Sequence, residues 1–104
     1  MSKVVDFPRA ERPTDLKPFK ELVDHVVVIS SVEFLPSSFG GGEYVRIRGT
    51  LENGTTFTTN TSARVILRQL KRLTPFFERG EEVRARVVRR RSARGTMYYA
   101  FEPP

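Results

Sequence analysis

Tyr44-Val-Arg-Ile-Arg-Gly-Thr-Leu51 is the stretch that decides the fold of this chain. Its apolar residues alternate with polar and aromatic ones, and a period of two residues is typical of a β-strand with one buried and one exposed face. Val45 and Ile47 lie on the apolar side, which predicts that they face a core. The side chains predicted to be exposed are Tyr44, Arg46, Arg48 and Thr50. This strand therefore offers one aromatic ring and two guanidinium groups to solvent.

The residues that follow predict a hairpin. Asn53-Gly54 is a dipeptide that tolerates the positive φ angles of a tight turn, and residues 55–61 form a threonine-rich strand around Phe57. The register of this strand is open, because a slip of one residue exchanges its two faces. If Phe57 faces the core, the exposed side chains are Thr56, Thr58 and Asn60. In the opposite register Phe57 itself is exposed.

A single helix is predicted directly after the hairpin. Ser62 is a suitable N-cap residue, and apolar residues recur at helical spacing from Ala63 to Leu73, before Thr74-Pro75 ends the pattern. The opposite side of the helix is basic and contains Arg64, Arg68, Lys71 and Arg72. A basic helix face is most often simply solvated, so we assign it no function.

Three further strands complete the pattern. Residues 25–35 form a long β-branched strand in which Ser30-Ser31 breaks the alternation, as a β-bulge does. Residues 82–91 and 96–102 form the last two strands and are joined by an arginine-rich turn. The order of elements is therefore three strands, one helix and two strands.

Two connections carry aromatic residues. Residues 36–42 form a glycine-rich loop between the first two strands, with Phe39 at its tip, and loops of this kind often contact ligands. After the helix, Phe76 and Phe77 are predicted to close the bottom of the core. Core positions are also predicted for the apolar residues of the last strand, Met97, Tyr99 and Phe101.

The length of 104 residues suits one small domain with one core. We place this domain at residues 24–104. Residues 1–23 contain three prolines among charges of both signs, which predicts a flexible or loosely docked N-terminal arm. Phe19 and Leu22 are apolar side chains with which the arm can dock.

The charge of the chain favours an acidic partner. Eighteen Lys and Arg against twelve Asp and Glu give a net charge of +6 and a pI of about 10.3. No cysteine and no apolar run of the ~18 residues needed to span a membrane are present, so we expect a cytoplasmic protein without a metal or other cofactor. Because the sequence also lacks a carboxylate cluster with metal spacing and a nucleophile beside a base, we do not expect an enzyme.

From Asp24 to Glu102 the order of elements resembles the OB-fold, a mainly β, five-stranded Greek-key barrel, here with the helix between strands three and four. The details resemble small phage-type and archaeal single-stranded DNA-binding proteins. In that family a glycine-rich loop leads to an aromatic and basic strand, as in Glu43-Tyr-Val-Arg-Ile-Arg48. A threonine-rich strand then enters a helix, as in Thr61-Ser-Ala-Arg-Val-Ile-Leu-Arg-Gln-Leu70. The resemblance implies a single-stranded nucleic acid as ligand, which the fold alone does not.

The resemblance also implies where the ligand binds. In an OB-fold it lies across the outer face of the second and third strands, between the first loop and the last hairpin. The candidate contact residues are Phe39, Tyr44, Arg46, Arg48, Phe57, Thr58, Arg84, Arg86, Arg89, Arg90, Arg91, Arg94 and Tyr98. Arginine pairs with phosphate in a bidentate manner, and aromatic rings stack on bases at ~1–3 kcal/mol each. We therefore expect non-specific binding of single-stranded DNA, in replication, recombination or repair.

Other interpretations use the same residues. An RNA-binding module needs the same rings and cations, and contacts to the 2′-hydroxyl cannot be read from sequence. A protein-interaction or structural subunit would use the basic face on an acidic partner. Tyr44 and Tyr98 also suit cross-strand packing, and an arginine-rich hairpin also protects a sheet edge from aggregation. Self-association is compatible with open strand edges, although the sequence does not set the number of copies.

Overall fold

The computed structural model describes residues 16–37 and 42–104, which form one antiparallel sheet and a single α-helix. The strands are β1 Val26–Pro36, β2 Glu43–Leu51, β3 Thr56–Thr61, β4 Val83–Arg91 and β5 Met97–Glu102, and the helix α1 is Arg64–Glu78. A short 3-10 helix, Phe19–Leu22, precedes β1. The predicted mainly β structure, with one helix between the third and fourth strands, is confirmed.

The strands lie in the order β3-β2-β1-β4-β5, and every neighbouring pair is antiparallel. β1 is the central strand, and its first half pairs with both β2 and β4. β3 and β5 are the two edges, and within the described residues no strand pairing joins them. The sheet is therefore open, whereas the order of elements in the sequence predicts a barrel.

β1 bends in its middle. Its pairing with β2 shifts between Ile29 and Ser31, which confirms the predicted bulge. Val27 and Ile29 are buried before the shift, and Val32 and Phe34 pack against the core after it. Because of the extra residue, odd-numbered residues face the core before the bulge and even-numbered residues face it afterwards. Both halves of β1 therefore keep apolar side chains on the core side.

The core lies between one face of the sheet and α1. Val45 and Ile47 of β2 are buried, as their alternation predicts, and Gly49 continues the same face beside Phe57 of β3. A Cβ atom at position 49 would lie 2.2 Å from the carbonyl oxygen of Val28 and 3.0 Å from the Phe57 ring. The close approach of these neighbours therefore requires glycine at this position.

Gly49→Ala should destabilise the domain by at least about 2 kcal/mol, because the added methyl group overlaps a backbone oxygen that has no rotamer with which to move away. Urea denaturation followed by circular dichroism measures the change. Gly42→Ala is the matched control, since a Cβ atom there meets nothing within 4 Å. Equal free energies of unfolding for the two variants would contradict the packing described for Gly49.

α1 begins without a side-chain cap. Its N-cap residue is Ala63, so the prediction that Ser62 caps the helix is wrong. The hydroxyl oxygen of Thr61 instead accepts a hydrogen bond from the N–H group of Ala63 at 3.2 Å. The last residue of β3 therefore stabilises the turn that leads into the helix.

α1 also continues beyond Thr74-Pro75, where the sequence pattern predicts its end, and reaches Glu78. A proline within a helix removes one backbone hydrogen bond, which is why the pattern predicts a stop. The additional turn allows Phe77 to pack against the core, and the hydroxyl of Thr74 donates a hydrogen bond to the carbonyl oxygen of Leu70 at 3.3 Å. Tertiary packing thus outweighs the local effect of the proline.

Only one of the two phenylalanines predicted to close the core does so. Phe77 is partly buried against the core, whereas Phe76 is 42% exposed. The guanidinium carbon of Arg79 lies 4.9 Å from the centre of the Phe76 ring, a cation–π arrangement. Phe76 faces outward because neighbouring residues of a helix point in directions about 100° apart.

Residues 16–19 contact both edges of the sheet. The N–H group of Lys17 donates a hydrogen bond to the carbonyl oxygen of Thr58 in β3 at 2.8 Å. The ring of Phe19 meets the ring of Tyr99 in β5 edge-on, with 5.3 Å between the centroids. This segment therefore bridges the gap between β3 and β5, and Phe19 and Leu22 are part of the core.

α1 protects the free edge of β5. The side-chain amide of Gln69 donates to the carbonyl oxygen of Phe101 at 2.9 Å and accepts from its N–H group at 2.8 Å. The amide thus takes the place of a neighbouring strand at this point. Polar backbone groups that a sheet edge would leave unpaired are satisfied there.

Candidate nucleic-acid interface

The face of the sheet that points away from the core, which we call the outer face, carries the polar side chains of β2. Arg46 lies opposite Asn60 of β3, and Arg48 lies opposite Thr58. Tyr44 is on the same face at the start of β2 and is half-buried. The alternation of β2 therefore brings one ring and two guanidinium groups together.

Two residues of β3 that were candidates are not accessible to a ligand. Phe57 faces the core and is 1% exposed, so of the two registers that the sequence allows, the structure has the one in which this ring points inward. Thr58 lies on the outer side of the strand but is only 2% exposed, next to the segment that contains Lys17. Its side chain therefore offers little accessible surface to a ligand. Thr56 and Asn60 are exposed on either side of it.

The arginines of the last hairpin do not act as one group, because the pairing of β4 divides them between the two faces of the sheet. Those on the outer face are Arg84, Arg86 and Arg90. Those on the opposite face, beyond the core, are Arg89 and Arg91. Arg94 is exposed in the turn between β4 and β5. A ligand on the outer face therefore meets only part of this charge.

The outer-face arginines of β2 and β4 form a diagonal. Thr50 of β2 pairs with Val28 of β1, which pairs with Arg84 of β4, so Thr50 and Arg84 lie in one row across the sheet. The diagonal begins six residues before this row at Tyr44 and ends six residues after it at Arg90, roughly 40 Å along the strand direction. We call it the arginine band: Tyr44, Arg46, Arg48, Arg84, Arg86, Arg90 and Tyr98.

Arg48 and Arg84 are the cations of the band for whose side chains the described residues supply no partner. Both are exposed, and neither takes part in an ion pair among the described residues. The two strands that carry them are two strand spacings apart, about 10 Å, on either side of β1. Between them β1 presents Val28 and Ser31. An anionic chain that crosses β1 here would meet both charges without breaking an ion pair, although the exposed carboxylate of Glu33 lies nearby on the same face, opposite Arg46.

Two other arginines of the band donate hydrogen bonds to uncharged groups. The Nε atom of Arg46 donates to Oδ1 of Asn60 at 3.3 Å. The guanidinium of Arg86 donates to the carbonyl oxygen of Asp24 at 3.1 Å. These partners orient the guanidinium groups without neutralising them, so their charge remains available to a phosphate.

Arg90 differs because it is neutralised. Its guanidinium donates two hydrogen bonds to the carboxylate of Glu102 in β5, at 2.8 and 2.7 Å. The hydrogen bond lowers the pKa of Glu102 below its ordinary value, and the same bond raises the pKa of Arg90. By register the pair crosses Val88 and Ala100, which are buried on this face. Arg90, which the sequence predicts to contact phosphate, therefore has a carboxylate partner within the chain.

A second carboxylate near the band is also held. Oε1 of Glu52, in the turn after β2, lies 2.7 Å from Nδ1 of His25, and this hydrogen bond lowers the pKa of Glu52. The charge of Arg86 makes a further, smaller contribution in the same direction. His25, the single histidine of the chain, thus has a hydrogen-bond partner on the surface.

The aromatic candidates differ in their accessibility. Tyr98 is 36% exposed and lies opposite Arg90 on the outer face. Phe39 lies outside the described residues. In β5, Phe101 is buried and Tyr99 packs against the core as predicted, whereas Met97 is 39% exposed because it lies beyond the end of the core. The described rings of the band are therefore at its two ends.

Glu102 is the member of this surface that the sequence pattern does not predict. The stretch from Arg84 to Arg94 contains six arginines and no acid, which predicts a purely basic surface. The signal that could find Glu102 is the strand register: Glu102 pairs with Arg86, and the small residues of the intervening Val88–Ala100 pair leave room for the long side chains of Arg90 and Glu102 to meet.

No protein-family model, curated protein or solved structure matches this chain. In residues 16–37 and 42–104, no three His, Cys, Asp or Glu side chains are grouped so that they could hold a metal ion. The helices of the described part of the chain are too short or too polar to cross a membrane. The geometry of the arginine band is therefore the main basis for a functional conclusion.

Proposed function

We propose that this chain binds single-stranded DNA through the arginine band, with little sequence specificity and without catalysis. The observation that carries the proposal is the position of Arg48 and Arg84, which are exposed, lack an ion pair among the described residues and share one face. Folded proteins usually intersperse both signs of charge on a surface. On this face the arginines of the band outnumber the exposed carboxylate of Glu33, and this excess of cations in a line suits a polyanion.

The shape of the band supports a single strand over a compact anion. It extends roughly 40 Å along the strand direction, which is long enough for several nucleotides within the ~4–16 that one OB domain covers. Tyr44 and Tyr98 stand at its ends, where unpaired bases could stack. In a duplex the bases are paired and stacked on one another, so these rings favour a single strand.

We also propose that the sheet is an OB-fold that is open between β3 and β5. The support is the strand order, the position of α1 between β3 and β4, and the bulge in β1. The contacts of residues 16–19 with both edges lie in the gap that barrel closure would fill. On this proposal the ligand surface includes the outer face of β2, which carries Tyr44, Arg46 and Arg48 of the arginine band.

Fluorescence anisotropy tests the proposed function. A labelled DNA single strand of about 20 nucleotides should bind more tightly than its duplex. The logarithm of the association constant should fall linearly with the logarithm of salt concentration, with a slope of about −3 for four to five phosphate contacts. A neutral peptide nucleic acid of the same sequence is the control, because it keeps the bases and removes the phosphates.

The other outcomes separate the alternatives. Tighter binding of the matching RNA would replace DNA with RNA as the ligand. Equal binding of duplex and single strand would mean that Tyr44 and Tyr98 do not stack on bases and that the affinity comes from charge alone. Absence of binding at low salt would overturn the proposal and point to an acidic protein as the partner of the basic face.

A further inference from the structure

Glu102 occupies a particular place on the proposed binding surface. It is the only acidic residue on the outer face of the β4–β5 hairpin strands, where it pairs with Arg86 in register and binds Arg90 on the diagonal. Its side chain is 38% exposed, so solvent and ligands can reach the ion pair. The carboxylate accepts both guanidinium hydrogen bonds of Arg90, the same bonds that a phosphate accepts from arginine.

We propose that Glu102 is an internal competitor for phosphate, which holds Arg90 out of the ligand contacts and limits the affinity of the arginine band. The inference rests on the proposed function, since it assumes that a polyanion binds this face. Arg48 and Arg84 then supply the first contacts, and Arg90 contributes only when its carboxylate partner is displaced.

The competition is strong because it is intramolecular. A tethered carboxylate has an effective concentration far above that of free phosphate or a mononucleotide, so a small anion does not displace it. A DNA strand that is already bound by the neighbouring arginines can compete with Glu102 for Arg90. Its next phosphate is then also held nearby, at a similarly high effective concentration. Glu102 thus favours long strands over short anions, which makes it a residue that determines specificity.

A purely structural role makes a different prediction. The Arg90–Glu102 pair crosses Val88 and Ala100, so it also shields these apolar side chains. If shielding were its only role, removing the charge of Glu102 would change stability and leave DNA affinity as it is. Affinity, salt dependence and ligand length are therefore the measurements that separate the two roles.

The test compares Glu102→Gln with Glu81→Gln in the full chain. Both substitutions keep the shape of the side chain, remove one negative charge and release one arginine, since Glu81 pairs with Arg79 outside the band at 3.0 Å. For a labelled single strand of about 20 nucleotides, Glu102→Gln should tighten binding roughly tenfold at low salt and steepen the salt slope by about 0.7, one phosphate contact. Glu81→Gln should change affinity less than about twofold, because exposed charges outside the contact area are screened.

A second variant shows whether the gain passes through Arg90. Glu102→Gln combined with Arg90→Ala should lose the gain and return to about the wild-type affinity. Glu102→Gln should also improve binding of a four-nucleotide strand by a larger factor than binding of the long strand. Thermal unfolding of each variant verifies that it is folded.

The two proposals fail in different ways. If the wild-type chain binds single-stranded DNA and the folded Glu102→Gln variant binds no more tightly than Glu81→Gln, the inference about Glu102 is wrong and the proposed function stands. If Arg90→Ala leaves the gain of Glu102→Gln intact, the competition does not act through Arg90 and the inference is again wrong. If the wild-type chain does not bind even at low salt, both proposals are overturned.

Discussion

The double substitution Arg48→Ala/Arg84→Ala should weaken the binding of single-stranded DNA about 100-fold at low salt. Each of these residues is exposed and lacks an ion pair within the described residues, so each is expected to supply one charge-assisted contact worth about tenfold in affinity. The loss of two phosphate contacts should also make the salt slope shallower by about 1.4. Anisotropy titrations across a salt series measure both quantities.

The control is Arg64→Ala/Arg68→Ala. These two residues are exposed on α1, so this variant loses the same net charge from a surface outside the band. Its affinity should fall less than about threefold, because a distant surface charge acts only through the screened field of the protein. If both double variants lost affinity equally, binding would depend on net charge alone, and the arginine band would not be the site.

The sequence predicts those features of the site that are set within a single strand, but not those that depend on how two strands pair. The face of β2 follows from alternation within a single strand, so Val45 and Ile47 are buried as predicted. The face of β3 does not follow from its own sequence, because the threonines around Phe57 are compatible with either register. Pairing with β2 places Phe57 beside Gly49 in the core.

The last hairpin shows the same limit more strongly. Six arginines within eleven residues predict a basic surface, but their number does not say which of them share a face. The register of β4 with β1 places Arg84 and Arg86 on the outer face, and one additional residue of shift would exchange them with Arg89 and Arg91. The ion pair of Arg90 with Glu102 requires that register too.

Local rules also fail where packing is stronger. Pro75 predicts the end of α1, because a proline removes a backbone hydrogen bond. The helix nevertheless continues to Glu78, and Phe77 packs against the core in the additional turn. The helix-breaking effect of Pro75 can be predicted from the local sequence. The burial of Phe77 cannot, because it depends on strands that are distant in the chain.

Whether the two edges of the sheet pair to close a barrel depends on residues that are far apart in the sequence. Whether β3 meets β5 depends on what lies between them, and here residues 16–19 occupy that position. A segment with three prolines among charges predicts little order, yet the side chains of Phe19 and Leu22 belong to the core. Apolar residues at the end of a polar segment thus contribute to a fold that their own composition does not predict.

Phe57→Ala should destabilise the domain by about 3–5 kcal/mol, the usual cost of removing a fully buried phenylalanine. The ring is 1% exposed, and it lies against Gly49, which has no side chain to fill the resulting cavity. Urea denaturation measures the change. Since a domain of this size is expected to be stable by only about 5–15 kcal/mol, the variant retains a small part of its stability or unfolds.

Phe57→Leu keeps the test informative if Phe57→Ala does not fold. It leaves a smaller cavity and should cost less than Phe57→Ala, while the outer face of the sheet remains unchanged. The affinity of the folded Phe57→Leu protein for single-stranded DNA should therefore equal that of the wild type. A loss of affinity with little loss of stability would instead mean that the ring contacts the bases, which would restore the register in which Phe57 belongs to the binding surface and contradict the pairing of β2 with β3.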